Sequence, residues 1–382
     1  SATCAGATSE HSNVHPVSDS EAAEGQCHWE GQGCRGAAGS SDGPPLSWRG
    51  FPYRVTNPRF ARRIYGGSYI ADALQRHGFN GSVDGDDWDL LWTHRPQDFR
   101  LQKPVARRNY RIVNHCDYFR AAGDKCYLAK YTKMMLKDRA DEQFNGPRHL
   151  QTFDLTKPDE LKKWQEAVLA EPHRYWILKP CFGGASKGIQ IRRGQEALVA
   201  RLNNDGDATV AQEYLEHPYL GFGAQKFHLR LYIVVARWEP LAAYLYDDGL
   251  VFRSLRPYDK DGLRSEALDV FSSISSTVEA LPLAALWHHL DHVGAASPSG
   301  TGEIVSMSTV RDRIIELLQD FLMTQRVTEA FGSYASIEAK RGYSCFDLFG
   351  VDVILDRELW PFVMEFNIGP NMWVDDHGEM NK

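Results

Sequence analysis

Three groups of residues have types and spacings that could do chemistry. Asp352 interrupts the aliphatic run Val351–Leu355, and Glu365 and Asn367 lie two apart in Val363-Met-Glu-Phe-Asn367. Side chains two apart on a strand share a face. If these runs pair across the turn at Asp356-Arg357-Glu358, three oxygen ligands converge. Such a set suits Mg²⁺, which binds through a few carboxylates together with substrate phosphates. A buried carboxylate needs a partner in any case, so an Asp–Arg or Glu–Lys ion pair is the alternative reading.

The second group is Lys179, which ends the apolar run Tyr175-Trp-Ile-Leu178 and precedes a loop holding Gly183, Gly184, Lys187 and Gly188. A lysine at the end of a buried strand is costly unless it meets an anion. A glycine loop beside it offers backbone N–H groups to phosphate. The order of residues is not that of a Walker loop. An ordinary hairpin with a snorkelling lysine is the structural alternative. The third group is Lys226, His228 and Arg230, which alternate with Phe227 and Leu229. Alternation puts the three polar groups on one face, either of a polar cleft or of a solvent-exposed strand. Gln212-Glu213-Tyr214-Leu215 precedes them.

The elements that must position these groups follow from periodicity and punctuation. Trp88–Trp92, Tyr175–Leu178, Ile189–Ile191, Val210–Leu215, Lys226–Trp238 and Leu241–Tyr246 read as strands, and Phe346–Leu355 with Trp360–Asn367 as a hairpin of buried strands. Lys125–Lys137 and Leu161–Leu169 read as helices, the latter started by Pro158-Asp159. Leu283–Leu290 is a further helix, and Val310, Ile314, Leu317, Leu318 and Phe321 mark the buried stripe of another. Blocks of strands and helices without strict alternation predict an α+β fold with mostly antiparallel sheets. Residues 1–47 are rich in Ser, Gly, Ala and Glu and are expected to be disordered. The rest divides into an N-terminal lobe (48–150), a central lobe (151–225) and a C-terminal lobe (226–382).

Composition excludes several classes. Of 382 residues, 43% are hydrophobic and 24% charged, and the formal charge of −7 does not suit a nucleic-acid binder. Against that average, Arg95, Arg100, Lys103, Arg107, Arg108 and Arg111 face only Asp98 over one short stretch. That run is either a solvated face or a docking surface for an acidic partner. The seven cysteines have no regular spacing, which predicts reduced thiols rather than a disulfide framework. Cys27, His28 and Cys34 lack a second ligand pair for zinc. No apolar run approaches the roughly 20 residues that span a bilayer, and no signal peptide is visible. An intracellular protein without membrane partners is expected.

Taken in order, Trp88-Asp-Leu-Leu-Trp92, Asn114-His115, Tyr175-Trp-Ile-Leu-Lys-Pro180, Lys187-Gly-Ile189, Gln212–Leu215, Lys226–Arg230, Phe346-Asp-Leu-Phe-Gly-Val-Asp352 and Met364-Glu-Phe-Asn-Ile-Gly-Pro370 resemble the tubulin–tyrosine ligase-like family over residues 55–382. The resemblance implies an ATP-grasp fold and an ATP- and Mg²⁺-dependent ligase. Such an enzyme joins Tyr, Glu or Gly to a carboxylate of tubulin or another acidic protein through an acyl phosphate. It implies that Lys125 and Lys179 contact ATP phosphates, that Lys187 belongs to the loop closing over them, and that Gln212, Glu213, Tyr214 and Leu215 form the adenine hinge. Lys226 would also lie at the nucleotide. Arg230 and Arg253 would hold the acceptor carboxylate or the free amino acid, and Asp352, Glu365 and Asn367 would carry Mg²⁺, Glu365 being catalytic as well. A cytoplasmic location at microtubules or cilia follows.

The chain departs from the family pattern in three places. His228 stands where an aspartate is usual, Phe252 where an arginine is usual with Arg253 one later, and no His-Leu-Thr-Asn segment occurs between Pro257 and Met307. These departures keep a nucleotide-binding pseudoenzyme, acting as a microtubule or protein interaction module, as the alternative.

Overall fold

A computed structural model describes residues 14–19, 27–29, 53–55, 67–81, 88–93, 112–116, 123–137, 148–181, 188–203, 209–238, 240–258, 278–293, 295–296, 304–328 and 344–370. The first part of the chain gives β1 (Val14–Asp19), β2 (Cys27–Trp29), β3 (Tyr53–Val55), α1 (Gly67–Arg76), β4 (Leu90–Trp92), β5 (Ile112–Val113) and α2 (Lys125–Lys137). The middle gives β6 (Thr152–Asp154), α3 (Pro158–Ala170), β7 (Tyr175–Lys179), β8 (Gln190–Arg193), α4 (Gln195–Asn203) and β9 (Val210–Glu213). The last part gives β10 (Gln225–Trp238), β11 (Leu241–Pro257), β12 (Val278–Pro282), α5 (Leu283–Val293), β13 (Ala295–Ala296), β14 (Ile304–Val305), α6 (Met307–Thr328), β15 (Ser344–Cys345), β16 (Asp347–Leu355) and β17 (Pro361–Ile368).

These elements make the expected α+β fold. The largest sheet runs β17-β16-β10-β11-β1-β2, with β12 beside β1 on the far edge of the long β11. Every pairing in it is antiparallel. A second antiparallel sheet has the order β6-β9-β7-β8. A third, β15-β5-β4-β3, is parallel throughout, an addition to the mostly antiparallel expectation. Asn114 and His115 serve that third sheet: Asn114 Oδ1 accepts from Thr93 N at 2.7 Å, and Asn114 Nδ2 donates to Thr93 O at 3.0 Å.

Period-two alternation decides which face of the large sheet is core. Phe227, Leu229, Leu231, Ile233 and Val235 of β10 pack with Val351 and Val353 of β16 against Leu283, Leu286 and Leu290 of α5. The predicted stripe of α6 (Val310, Ile314, Leu317, Leu318, Phe321) closes the same core. The smaller antiparallel sheet buries Trp176 and Leu178 against Trp164 and Val168 of α3 and Ala197 of α4. Helix α3 starts where a proline without N–H and two acidic residues, Asp159 and Glu160, favour an N-terminus.

Two expectations are corrected. Within 1–47, β1 and β2 are strands, and β1 pairs with Ala242–Tyr246 of β11. Main-chain hydrogen bonds to an open sheet edge do not depend on apolar side chains, so composition could not exclude them. The remainder of 1–47 lies outside the described residues. The thiols expected to be reduced are joined as Cys116–Cys345 and Cys126–Cys181 disulfides, with Cα–Cα distances of 5.3 and 5.2 Å. Their partners are 229 and 55 residues apart in sequence, a proximity that only the fold creates.

Candidate active site

The hairpin β16–β17 brings the oxygen ligands together. Its turn is held by Asp356, whose Oδ1 accepts from Glu358 N at 3.0 Å and Trp360 N at 2.8 Å. Burial, against the pull of those bonds, raises the Asp356 carboxyl to about 6. Next to the turn Val353 pairs with Val363, but one bulged residue later Asp352 faces Glu365 and Gly350 faces Asn367. The bulge therefore sets Glu365, rather than Met364, opposite Asp352. Asn367 Nδ2 donates to Asp352 Oδ2 at 3.3 Å.

Strand β10 supplies the cations from the other side. Arg230 pairs with Asp352 across the strands, and its guanidinium binds the carboxylate through two nitrogens, Nη2 to Oδ2 at 3.0 Å. Both side chains are buried. Burial alone would raise the Asp352 carboxyl, yet the Arg230 charge outweighs it and holds the acid below its ordinary value. The Arg230 side chain lies across Gly350, where a Cβ would meet Arg230 Cδ at 2.9 Å, so the close approach needs glycine. Glu365 faces a second cation, Lys125 Nζ at 3.3 Å, from the first turn of α2.

Lys179 ends β7 at 5% exposure, with Nζ 2.8 Å from Gln212 Oε1, and Gln212 Nε2 donates to Thr152 Oγ1 at 3.0 Å. Burial lowers the Lys179 ammonium to about 8, further lowered by Lys125 and only partly offset by the charges of Glu365 and Asp352. Lys226 is 1% exposed, donates to Tyr214 OH at 2.7 Å and stands 4.1 Å over the Tyr214 ring. Burial, then the Lys179 charge, drives Lys226 well below its ordinary value. Two lysines held so poorly as cations, beside a set of carboxylates, mark a site built to receive a charged ligand.

The segment Gln212–Leu215 runs alongside. Glu213 carries its N–H to Gln151 O at 2.8 Å and its carboxylate to Arg174 Nη1 at 3.5 Å. Leu215 packs with Leu150, Ile354, Phe362 and Met364, an apolar cluster continuing from the Asp352 side of the hairpin. Glu213, Tyr214 and Leu215 also line a cavity of about 840 Å³ with Tyr175, His217 and Asp356.

The structure thus gathers Lys125, Lys179, Gln212, Tyr214, Lys226, Arg230, Asp352, Glu365 and Asn367 into one cluster of neighbouring side chains. Lys187 lies outside the described residues. Arg253 is not brought to the cluster. The ladder pairs Phe227 with Arg253 and His228 with Phe252, without a bulge between them, so Arg253 turns to the opposite face. There its Nε bonds Glu279 Oε1 at 2.6 Å, and its guanidinium lies 5.0 Å over Phe222.

The two departures at 228 and 252 are cross-strand neighbours, with ring centroids 5.3 Å apart. Arg230 also lies over Phe252, at 5.5 Å. His228 is fully buried, and among the described residues its Nδ1 has no hydrogen-bond partner. Burial, against the charge of Asp352, lowers the ring to about 4, so it is neutral at pH 7. Thr152, which orients Gln212, had no sequence signal beyond an ordinary strand residue. Phe252 was legible only as a displaced arginine.

The donor set of Asp352, Glu365 and Asn367 is all hard oxygen, balanced by Arg230 and Lys125, and fits a divalent cation of the Mg²⁺ type. The alternative ion pairs are present: Asp352 is paired with Arg230 and Glu365 with Lys125, while Asp352 also faces Glu365 and Asn367.

Comparison with known proteins follows the same residues. The family model described as "Tubulin-tyrosine ligase family" matches residues 105–277 and 300–381. Tubulin monoglutamylase TTLL4 of Homo sapiens is 27% identical over 324 residues, covering 79% of this chain and 25% of that protein. Tubulin polyglutamylase ttll6 of Danio rerio is 25% identical over 324 residues, 80% of this chain and 38% of its own length. Tubulin polyglutamylase TTLL7 of Xenopus tropicalis is 27% identical over 325 residues, 76% of this chain and 32% of its own. The chain spans between a quarter and two fifths of these relatives. No helix among the described residues is long and apolar enough to cross a membrane. With the model matching most of its length and the matched segments holding the whole cluster, the chain belongs to the tubulin-tyrosine ligase family.

Proposed function

We propose that this chain is an ATP-grasp ligase that uses ATP and Mg²⁺ to join a free amino acid, glutamate foremost among Glu, Tyr and Gly, to a carboxylate of tubulin or another acidic protein. The observation that carries the reading is the convergence of Lys125, Lys179 and Arg230 on Asp352, Glu365 and Asn367, with Lys226 beside Lys179. The glutamylase names of the relatives favour glutamate, and the basic run at 95–111 suits an acidic acceptor. The central and C-terminal lobes (151–225 and 226–382) would be the two halves of the grasp, with 48–150 as an added lobe.

In this reading Gln212–Leu215 and Lys226 hold the base end of the nucleotide, and Lys125 and Lys179 hold its phosphates. Asp352, Glu365 and Asn367 would hold Mg²⁺, which when bound neutralises charge on the transferring phosphoryl group. Arg230 fixes Asp352 and keeps it ionised. The acceptor carboxylate oxygen attacks the γ-phosphorus and ADP leaves. The amino acid's nitrogen then attacks the activated carbonyl, losing a proton as phosphate departs. Burial of the cationic row supplies preorganised charge where the phosphoryl group develops its own. A location in the cytoplasm at microtubules follows from the acceptor.

A second reading is favoured by one observation. Phe252 occupies the cleft face where an arginine would point, and Arg253 faces away. A cleft short of one cation would suit a nucleotide-binding pseudoenzyme. Incorporation of labelled Glu, Tyr and Gly into purified tubulin, with Mg-ATP and with Glu365→Gln beside the unaltered protein, separates the two. ATP-dependent incorporation lost in Glu365→Gln supports the ligase. Mg-ATP binding without incorporation into any acceptor overturns it in favour of the second reading.

A further inference from the structure

We propose that Cys126 and Cys181 form a reversible dithiol–disulfide site that controls the nucleotide cleft. The proposal rests on the nucleotide reading above only for its consequence, not for the bond itself. Cys126 follows Lys125 in the first turn of α2, and Cys181 lies two residues beyond Lys179. The crosslink therefore joins the neighbours of two lysines that converge on one cleft. The backbone is already tied at this point: Lys125 N donates to Cys181 O at 3.2 Å, and Cys181 N donates to Thr209 Oγ1 at 2.6 Å. A Cα–Cα distance of 5.2 Å is within the range a disulfide spans, so the pair closes without moving either element.

Position distinguishes this pair from the other. Cys116 and Cys345 are 1% and 8% exposed and belong to the main core, beyond reach of a solution thiol. Cys126 and Cys181 are half-buried and line an open cavity of about 490 Å³, with Lys130, Lys133, Asp154 and Glu160 on its walls. Such an opening leaves the pair within reach of a small disulfide such as oxidised glutathione. One thiolate attacks the glutathione disulfide and releases one glutathione, and the second thiolate displaces the other. Two protein thiols are oxidised to one disulfide, and one glutathione disulfide is reduced to two glutathiones. In the bonded state Lys125 and Lys179 are held at a fixed separation, with Lys125 on Glu365 and Lys179 on Gln212. A nucleotide whose phosphates must enter between those lysines then meets a tethered α2. Opening the bond frees α2 to adjust.

The test uses the full chain equilibrated in glutathione buffers of graded redox ratio, quenched by alkylation and digested for mass spectrometry. Mg-ATP affinity is measured on the same samples. The expected result is a Cys126–Cys181 crosslinked peptide that appears and disappears reversibly, with Mg-ATP affinity at least about fivefold weaker in the crosslinked form. Cys126→Ser and Cys181→Ser should each bind Mg-ATP as the reduced protein does, at every ratio. Separate alkylation of both cysteines under oxidising buffer, or a stoichiometric zinc ion held by Asp124, Cys126 and Cys181, would overturn the proposal. So would full crosslinking with unchanged affinity. Crosslinking with no Mg-ATP binding in either state would overturn the nucleotide reading and the control built on it, whereas binding intact without a crosslink sinks the redox site alone.

Discussion

Replacing Lys179 by methionine should leave the ligand-free protein as stable as before or more so, and should remove a specific pH dependence. The Lys179 ammonium is lowered from 10.5 to about 8 by burial. A shift of that size corresponds to about 3 kcal/mol at pH 7, because each pKa unit is about 1.4 kcal/mol. The unfolded chain binds the proton more tightly than the native one between pH 8 and 10.5. Native stability therefore rises with pH across that window, and the whole penalty is present below it. Methionine fills a similar volume without charge, but it leaves Gln212 Oε1 without its 2.8 Å donor, at a cost of about 1–3 kcal/mol. The net change at pH 7 is thus between about zero and +2 kcal/mol. The sharper readout is the difference in unfolding free energy, mutant minus unaltered protein, from urea titrations at pH 7 to 10.5. It should fall by about 3 kcal/mol across the window whatever the offset from Gln212. Mg-ATP should flatten the slope of the unaltered protein, because a phosphate beside Lys179 restores its proton affinity, and should leave Lys179→Met unprotected. A difference that stays flat from pH 7 to 10.5 would refute the claim that Lys179 is a strained cation awaiting an anion.

Further substitutions probe the cluster and Arg253 outside it. Glu365→Gln should abolish the Mg-ATP-dependent rise in melting temperature; it also takes a counter-charge from Lys125, 3.3 Å away with a side chain only 9% exposed, so the ligand-free protein should melt somewhat lower. A normal nucleotide shift in that variant would count against Glu365 as a ligand. Asp352→Asn leaves the buried Arg230 without its counter-charge and should cost about 3–5 kcal/mol, whereas Arg230→Met with Asp352→Leu should recover most of it. Because the Asp352 acid is held below 3.8, its contribution is present above that pH and lost as pH falls through its lower native value. The two proteins should therefore converge in acid denaturation curves. Arg253→Ala, which breaks a half-exposed pair with Glu279, should change stability by no more than about 1 kcal/mol. Its Mg-ATP affinity should not change; a weakened affinity in calorimetry would show that Arg253 reaches the cleft after all.

What was legible in the sequence is what obeys a short period. Lys226, His228 and Arg230 fall on one face and Phe227 and Leu229 on the other because side chains alternate. The same rule put Glu365 and Asn367 on one face, and pairing across the turn at Asp356 added Asp352. What was not legible depends on non-local pairing. The bulge that sets Asp352 against Glu365 rather than Met364 has no local signal, nor does the reach of β11 to Pro257, nearly three times the length its apolar run suggests. The edge strands β1 and β2 and the two disulfides are likewise products of contacts between distant segments.

Parity matters most at residue 252. A resemblance tolerates an arginine displaced by one position, but a strand does not, since one residue exchanges cleft for core. The ladder from Phe227–Arg253 to Leu229–Val251 is continuous, so Phe252 and not Arg253 faces His228. The departures at 228 and 252 thereby meet in one place, a neutral imidazole set against a phenyl ring, at a position flanked by Lys226 and Arg230. An imidazole that is neutral at pH 7 beside an aromatic ring carries no net charge, so the middle of the cationic row remains as a gap between its two ends. In the proposed function, nucleotide binding would draw on those ends and on the Asp352 cluster and would persist without the middle. Any loss of function from the substitutions should therefore fall on the acceptor or the amino acid before it falls on ATP.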